Sequence, residues 1–291
     1  MNKWKLLVLM LCCAMMGVCG KYLFDYFQES HSNKQAYEAI TNIGFPDKNP
    51  DQDEEDDGKQ TETELQSEAE TEQDDFDYDS LLAINSDCIG WIRINGTGID
   101  YPVVQAADNS YYLRRNFNQE SAICGTIFMD YRNDIDLTRE HLILYGHQMK
   151  DGSMFKELNG YKDKDFYTEH PEITLYLRNQ KYIYDVAAVY VTNIARSGGY
   201  YNYLHYNTRM EQIEYLQQKM AAYQLYDTGL TVNESDELLS LSTCEYSSTN
   251  GRLIVLAKRR ESNDGHEKDQ TSDKAEINFR TDQRSVETAG E

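Results

Sequence analysis

Between residues 47 and 79, sixteen aspartates and glutamates stand against two lysines, so −14 of the net −22 carried by the 291-residue chain sits in one short segment. Residues 47–75 have almost no apolar side chains, too little surface to bury to offset the entropy of ordering them, and their like charges repel. The segment reads as a solvated, extended tether; a docking tail for a basic partner or for divalent cations is the functional alternative. No single core can run through it. The chain therefore divides into an N-terminal part of net +1, residues 80–261 of net −5, and residues 262–291 of net −4, polar and without periodicity, which read as a disordered tail. The middle part is long enough for one self-sufficient domain. An acidic chain without a basic face is not the pattern of a nucleic-acid binder.

Lys3 and Lys5 precede residues 6–20, fifteen positions without a charge. That length is short for a membrane span and fits the core of a signal peptide. No small-x-small cleavage site follows, and residues 16–19 make a poor lipid-attachment box, which favours an uncleaved anchor. Trp4 at one end and Tyr22, Tyr26 and Phe27 at the other are placed as interfacial residues, and Lys21 can snorkel. Two lysines before the apolar run against one close behind it set the N-terminus inside and the bulk of the chain outside. The expected organisation is a cytoplasmic N-terminus and membrane anchor over residues 1–27, a stalk and acidic linker over 28–79, one folded domain over 80–261 and the tail.

Within the folded part, residues 237–259 read as two strands around a short loop. Leu239, Leu241 and Thr243 alternate with Ser240, Ser242 and Cys244, an apolar face against a small polar one that ends in a thiol. Pairing Cys244 with Arg252 sets Thr243 against Leu253, Leu241 against Val255 and Leu239 against Ala257, which keeps the apolar face consistent. Asn250-Gly251 offers a rival, tighter hairpin pairing Thr249 with Arg252; the broken alternation over 245–248 favours the longer loop. In that register thiol and guanidinium share a face, and a nearby cation favours thiolate and steadies an oxyanion. A lone cysteine at a strand end is more often core filler than nucleophile. A second stretch shifts the balance. In HLILYGHQMKDGSMF, residues 141–155, an apolar run ends where a loop begins at Gly146-His147, a usual place for chemistry.

Elsewhere, residues 76–85 predict a short helix capped by Asp79 or Ser80, and residues 89–94 and 99–104 two strands joined at Asn95-Gly96, with Pro102 marking an edge. Residues 173–177 and 182–193 are β-branched and tyrosine-rich. Thr208 and Glu211 form a capping box opening a helix to Tyr223, with Met210, Ile213, Leu216, Met220 and Tyr223 on one stripe. Short strands, turn signals and 23 tyrosines predict a mostly β fold. The six cysteines, at 12, 13, 19, 88, 124 and 244, show no C-x-x-C pair and no histidine at zinc spacing, so no metal site is expected. Cys88 and Cys124 admit two readings, a disulfide in an exported protein or a pair of buried thiols.

The runs YGHQMKDGSMF at 145–155, GTIFMDYRN at 125–133 and SLSTC at 240–244 followed by Arg252 resemble the sortase family, and its class B in particular, over residues 80–260. Ser240 stands where the TLxTC signature has threonine. The resemblance implies an eight-stranded sortase-type β-barrel with an N-terminal helix and a helix in the connection before the catalytic strand, that second helix forming one wall of the substrate groove. It implies Cys244 as nucleophile, His147 as general acid and base, and Arg252 holding the substrate backbone and the oxyanion. Tyr145, Ser242, Thr243 and Glu245 are the expected groove lining, with the Glu245 amide as an oxyanion donor. The implied reaction cleaves the sorting signal of exported surface proteins through a thioacyl enzyme. The acyl group passes to an amine of a peptidoglycan precursor or, in pilus assembly, to a pilin lysine. No cofactor is implied, although calcium stimulates some sortases. Two other classes compete: a hydrolytic cysteine peptidase, for which the order of His147 before Cys244 is the reverse of the papain-like one, and a non-enzymatic wall-facing domain, which needs no reactive thiol.

Overall fold

The computed structural model describes residues 3–46, 76–134, 141–193, 208–247 and 249–261; the acidic segment at 47–75 and the tail at 262–291 lie outside the described residues. The elements in chain order are α1 (Lys3–Gly44), α2 (Tyr78–Ile84), β1 (Cys88–Arg93), β2 (Asp100–Val104), β3 (Ile127–Met129), β4 (His141–Tyr145), α3 (Lys164–Glu169), β5 (Glu172–Leu177), β6 (Gln180–Asn193), α4 (Arg209–Tyr223), β7 (Leu238–Glu245) and β8 (Gly251–Arg259). The strands close into an eight-stranded barrel in the order β1-β2-β3-β4-β7-β8-β6-β5, with β5 pairing back onto β1. Closure satisfies the sheet edges that would otherwise stay open. Pairing is antiparallel except for β2 with β3 and β4 with β7. A parallel pair needs a long crossover, and the segment carrying α3, β5, β6 and α4 supplies it for β4 and β7.

Strand alternation sorts the side chains into two cores. Leu239, Leu241, Leu253, Val255 and Ala257 point into the barrel, as their pairing predicts. The outer faces of β4, β7 and β8 present Ile143, Leu238, Ile254 and Leu256 to Ile213, Leu216 and Met220 of α4. Ser240, expected on a polar cleft face, is fully buried in this layer, 2.8 Å from Nε2 of His141. The α4 capping box forms as expected, but the ends of the predicted stripe, Met210 and Tyr223, are about half exposed because the sheet covers just the middle of the helix. The cap of α2 is Asp77, whose carboxylate accepts from Ser80 N, two residues before Asp79 and three before Ser80, the expected caps. β3 reaches β2 at Val103 and Val104 alone, so Pro102 lies past that ladder, where its missing N–H costs nothing. Cys88 and Cys124 are free, buried thiols, each pushed up to about 12 by burial.

α1 does two jobs. Its first half contains a window long and apolar enough to cross a membrane, with none of that window buried. Its last turns lie on the barrel: residues 28–46, expected as a stalk, dock through one face. Tyr37 Oη donates to the Gly125 carbonyl at 2.8 Å and its ring meets Tyr101 edge-on at 5.5 Å. Just past the helix, Phe45 sits among the rings of Trp91, Phe76 and Tyr176 at 5.4, 5.2 and 5.5 Å, with the Arg93 guanidinium over its face at 4.0 Å. Asp77 N donates to Gly44 O at 2.8 Å. The two flanks of the acidic segment therefore meet, and the chain leaves and rejoins the folded body at one place. A tether between anchor and barrel would have kept them apart.

Two outcomes follow from these contacts. Phe45→Ala removes a buried ring from an aromatic cluster and lowers unfolding stability by about 3 kcal/mol or more, read by urea titration. His141 is fully enclosed; burial first, and the Arg209 charge second, hold its pKa well below the ordinary value. The unfolded chain binds a proton below about pH 6.5 that the folded chain refuses, so stability falls as pH drops, by roughly 1.4 kcal/mol at pH 5.5. In His141→Gln the loss of stability between pH 7.5 and 5.5, taken by urea midpoints, is smaller by about that amount.

Candidate active site

β4 and β7 run parallel with Tyr145 beside Ser242, so both strands end at the same rim of the barrel. Beyond the strand end the ladder continues: Gly146 N donates to Ser242 O at 3.2 Å, and the Thr243 hydroxyl donates to Gly146 O at 2.9 Å. Gly146 cannot carry a side chain here, since a Cβ would lie 2.5 Å from Ile127 Cδ1 and 2.6 Å from Phe155 Cδ2. The close pass over that apolar floor lets the backbone turn out to His147. His147 O accepts from Phe155 N at 2.9 Å, and its ring Nε2 lies 2.8 Å from Leu113 O. A carbonyl can only accept, so Nε2 carries the hydrogen and Nδ1 is the ring nitrogen left for proton transfer.

The partner strand β8 pairs in the longer-loop register, Cys244 opposite Arg252 and Thr243 opposite Leu253. Directly opposite residues have Cβ atoms about 5 Å apart on one face. Cys244 is half-buried and free, and Arg252 Nη1 donates to Gly251 O at 2.9 Å. The thiol, imidazole and guanidinium all line one cavity of about 390 Å³, with Tyr145, Ser242 and Thr243 in its wall. Three residue types suited to acyl transfer thus share a groove: a nucleophile, a proton carrier and a fixed cation.

Glu245 does not join them. One position past Cys244, it points to the other face of β7, where its carboxylate accepts from Lys162 Nζ at 2.6 Å and from Ser247 N at 3.0 Å. Burial pushes that carboxyl up, but the bonds from Lys162 and Ser247 outweigh it and hold it below the ordinary range. Its side chain braces the end of β7; it does not line the groove. Sequence reasoning also missed part of the wall: Asn109, Leu113, Thr126, Phe128 and Arg132. Asn109 and Leu113 lie in the aperiodic β2–β3 connection, while Arg132 was in view inside GTIFMDYRN. Asp130, from the same run, is fully buried and organises the wall: it accepts from Tyr145 Oη at 2.7 Å, from Arg132 Nε and Nη2 at 2.8 and 2.7 Å, and from Asn109 Nδ2 at 3.0 Å. Burial pushes this carboxyl up, yet the bonds from Arg132, Tyr145 and Asn109 together keep it below its ordinary value. The expected groove wall from α4 is not among the described lining residues; residues 194–207, between β6 and α4, lie outside the description. Among the described residues no three His, Cys, Asp or Glu side chains converge as metal ligands.

Comparison with known proteins places this geometry. The profile of the sortase domain matches residues 92–260. Sortase B of Listeria monocytogenes is 38% identical over 180 residues, covering 61% of this chain and 72% of that protein. The solved sortase B of B. anthracis superposes with a TM-score of 0.63 at 33% identity, covering 81% of this chain and 100% of the other. A Staphylococcus aureus sortase B–substrate complex gives a TM-score of 0.63 at 27% identity over 80% and 99% of the two chains.

Thiol accessibility tests the arrangement. Iodoacetamide at pH 8 on the folded protein labels Cys244, whereas Cys88 and Cys124, whose burial keeps thiolate scarce, are labelled just after denaturant is added, as read by peptide mass mapping.

Proposed function

The chain belongs to the class B sortases, which are cysteine transpeptidases, and from that premise we propose how its own residues carry the reaction and where it takes place. Cys244 Sγ passes its proton to His147 Nδ1 and, as thiolate, attacks the scissile carbonyl carbon of a sorting signal at the C-terminus of an exported surface protein. Arg252, charged throughout, holds the substrate backbone and faces the oxyanion, with the Glu245 amide as second donor. The C–N bond breaks as His147 gives its proton to the leaving amine, and a thioacyl enzyme remains. An amine of the cell wall then enters, His147 takes its proton, and the new amide forms as Sγ leaves. Water in place of the amine releases a free acid, so slow thiol-protease behaviour accompanies transfer. Tyr145, Ser242 and Thr243 shape the groove around the acyl group.

One observation carries these roles: a parallel ladder ties Gly146 to Ser242 and Thr243, fixing His147 beside the strand that bears Cys244, while Arg252 sits opposite that cysteine. The apolar first half of α1 supports a single-pass anchor over residues 1–27 with the N-terminus inside and the catalytic domain, residues 80–261, outside the cell membrane; residues 28–79 and 262–291 flank it.

The assignment is tested by turnover of sorting peptides and by product mass. Cys244→Ala forms no thioacyl adduct and no product; product from that variant would end the assignment. His147→Ala lowers kcat about 10²–10⁴-fold, and Arg252→Lys about 10²–10³-fold. With glycine, diaminopimelate and lysine amines offered together, the adduct mass names the acceptor, and a lysine-linked product from a pilin peptide alone would move the protein to pilus assembly.

A further inference from the structure

We propose that the barrel rests on the membrane in which its helix is anchored, through the surface made by the β2–β3 connection and the loop after β4, so that the groove opens at the level of the outer-leaflet headgroups. This rests on the anchor reading above.

The support is the way α1 runs from span to barrel without a break. Tyr26 and Phe27 mark the expected outer end of the span, and barrel contacts begin within one turn of them. Tyr26 and Glu29 share a crevice with Ile123 and Met149. Glu29 Oε1 accepts from Ile123 N at 2.8 Å, and Ser30 Oγ donates to Asp151 at 2.6 Å. The other end of the docked stretch, Gly44, is about 22 Å further along the axis at 1.5 Å per residue. Typical tilts of about 20° leave that order unchanged. The Ile123 and Asp151 end of the barrel is therefore membrane-proximal, and the Phe45 and Trp91 end distal.

The proximal surface presents aliphatic and basic side chains together. Ile123 and Leu113 are 42% and 37% exposed, and Arg114 reaches back to the Ile123 carbonyl at 3.4 Å, with Lys150 exposed beside them in the next loop. Glu29, Asp151 and the exposed Glu120 keep their negative charges on this side, Glu29 accepting from Ile123 N and Asp151 from Ser30 and Ser153, so the exposed aliphatic side chains lead the contact and Arg114 and Lys150 offset those carboxylates. Exposed aliphatic side chains among basic ones bind at the headgroup boundary. Leu113 also lines the catalytic cavity and holds His147 through its carbonyl, so the surface and the groove share a wall.

The native tryptophans make a direct test. Trp4 lies in the anchor and Trp91 is fully buried. The full chain is reconstituted in phosphatidylglycerol and phosphatidylcholine vesicles carrying lipids brominated near the headgroup. In a Trp4→Phe background, Ile123→Trp loses fluorescence to the brominated lipid, while Ile43→Trp, exposed beside Gly44 at the distal end of α1, does not. Adding Arg114→Glu and Lys150→Glu reduces the Ile123→Trp quenching. Lys150→Trp reads the same surface if Ile123→Trp does not fold. Quenching of native Trp4 with Ile123→Trp and Ile43→Trp equally bright, or equally dimmed, overturns the membrane contact and leaves the anchor standing. An unquenched Trp4 removes the anchor itself, which separates the two failures.

Discussion

The parallel pairing of β4 with β7 is the constraint on which the site depends. Antiparallel neighbours would have put the ends of these strands at opposite rims of the barrel. Parallel ones put Tyr145 and Ser242 side by side, and the ladder then carries on through Gly146. His147 and Cys244 are far apart in sequence, yet backbone hydrogen bonds between the loop after β4 and β7 bring both to one cavity. Thr243 adds a side-chain bond to the same turn. Gly146 is the weak point of this arrangement and its condition, because only a residue without Cβ passes over Ile127 and Phe155. A groove fixed this way is preorganised: the His147 imidazole stands next to the strand that carries Cys244 without any ligand bound.

A second organising element is the aromatic cluster around Phe45. It fastens the end of α1 to the barrel, so the helix that carries the apolar segment is also a structural part of the folded body. Burial of several large rings outweighs the strain of bringing the ends of an acidic segment together, since each ring removes apolar area from water and makes edge-on contacts. The flanks of the acidic stretch thus meet at a pinched point, and the distance from the apolar part of α1 to the groove does not depend on the length between them.

Much of this was legible in the residues. The register of Cys244 with Arg252 followed from demanding one apolar face on both strands, and the α4 capping box from two residues three apart. The docking of Tyr37 and Phe45 was not legible, because an aromatic residue beside a polar run has no periodicity to announce its partner, and Trp91 and Tyr176 are distant in sequence. Glu245 misled for a related reason. Adjacency to Cys244 suggested the groove, but strand alternation sends the next side chain to the opposite face, where Lys162 waits. Ser240 misled in the same way: the small polar face of β7 is two environments, one roofed by α4 and one open, and nothing local to the strand tells where the roof ends. α3 carries no buried residue and no apolar stripe, so no pattern predicted it.

The wall of the groove turns on the Asp130 carboxylate. A buried carboxylate without partners would be driven to its neutral form. Here two bonds from Arg132, one from Tyr145 and one from Asn109 hold it ionised, and in doing so they fix three wall residues at once. The same charge that is costly to bury thus makes those side chains rigid, because rotating any of them away leaves the carboxylate short of a donor. Ser240 follows the same logic on a neutral scale. Its hydroxyl meets a buried imidazole in a space closed by α4, so a hydroxyl is required there while the extra methyl of threonine is not. Serine at this position keeps that hydrogen bond, and Cys244 four residues on, in the cavity, is not part of it.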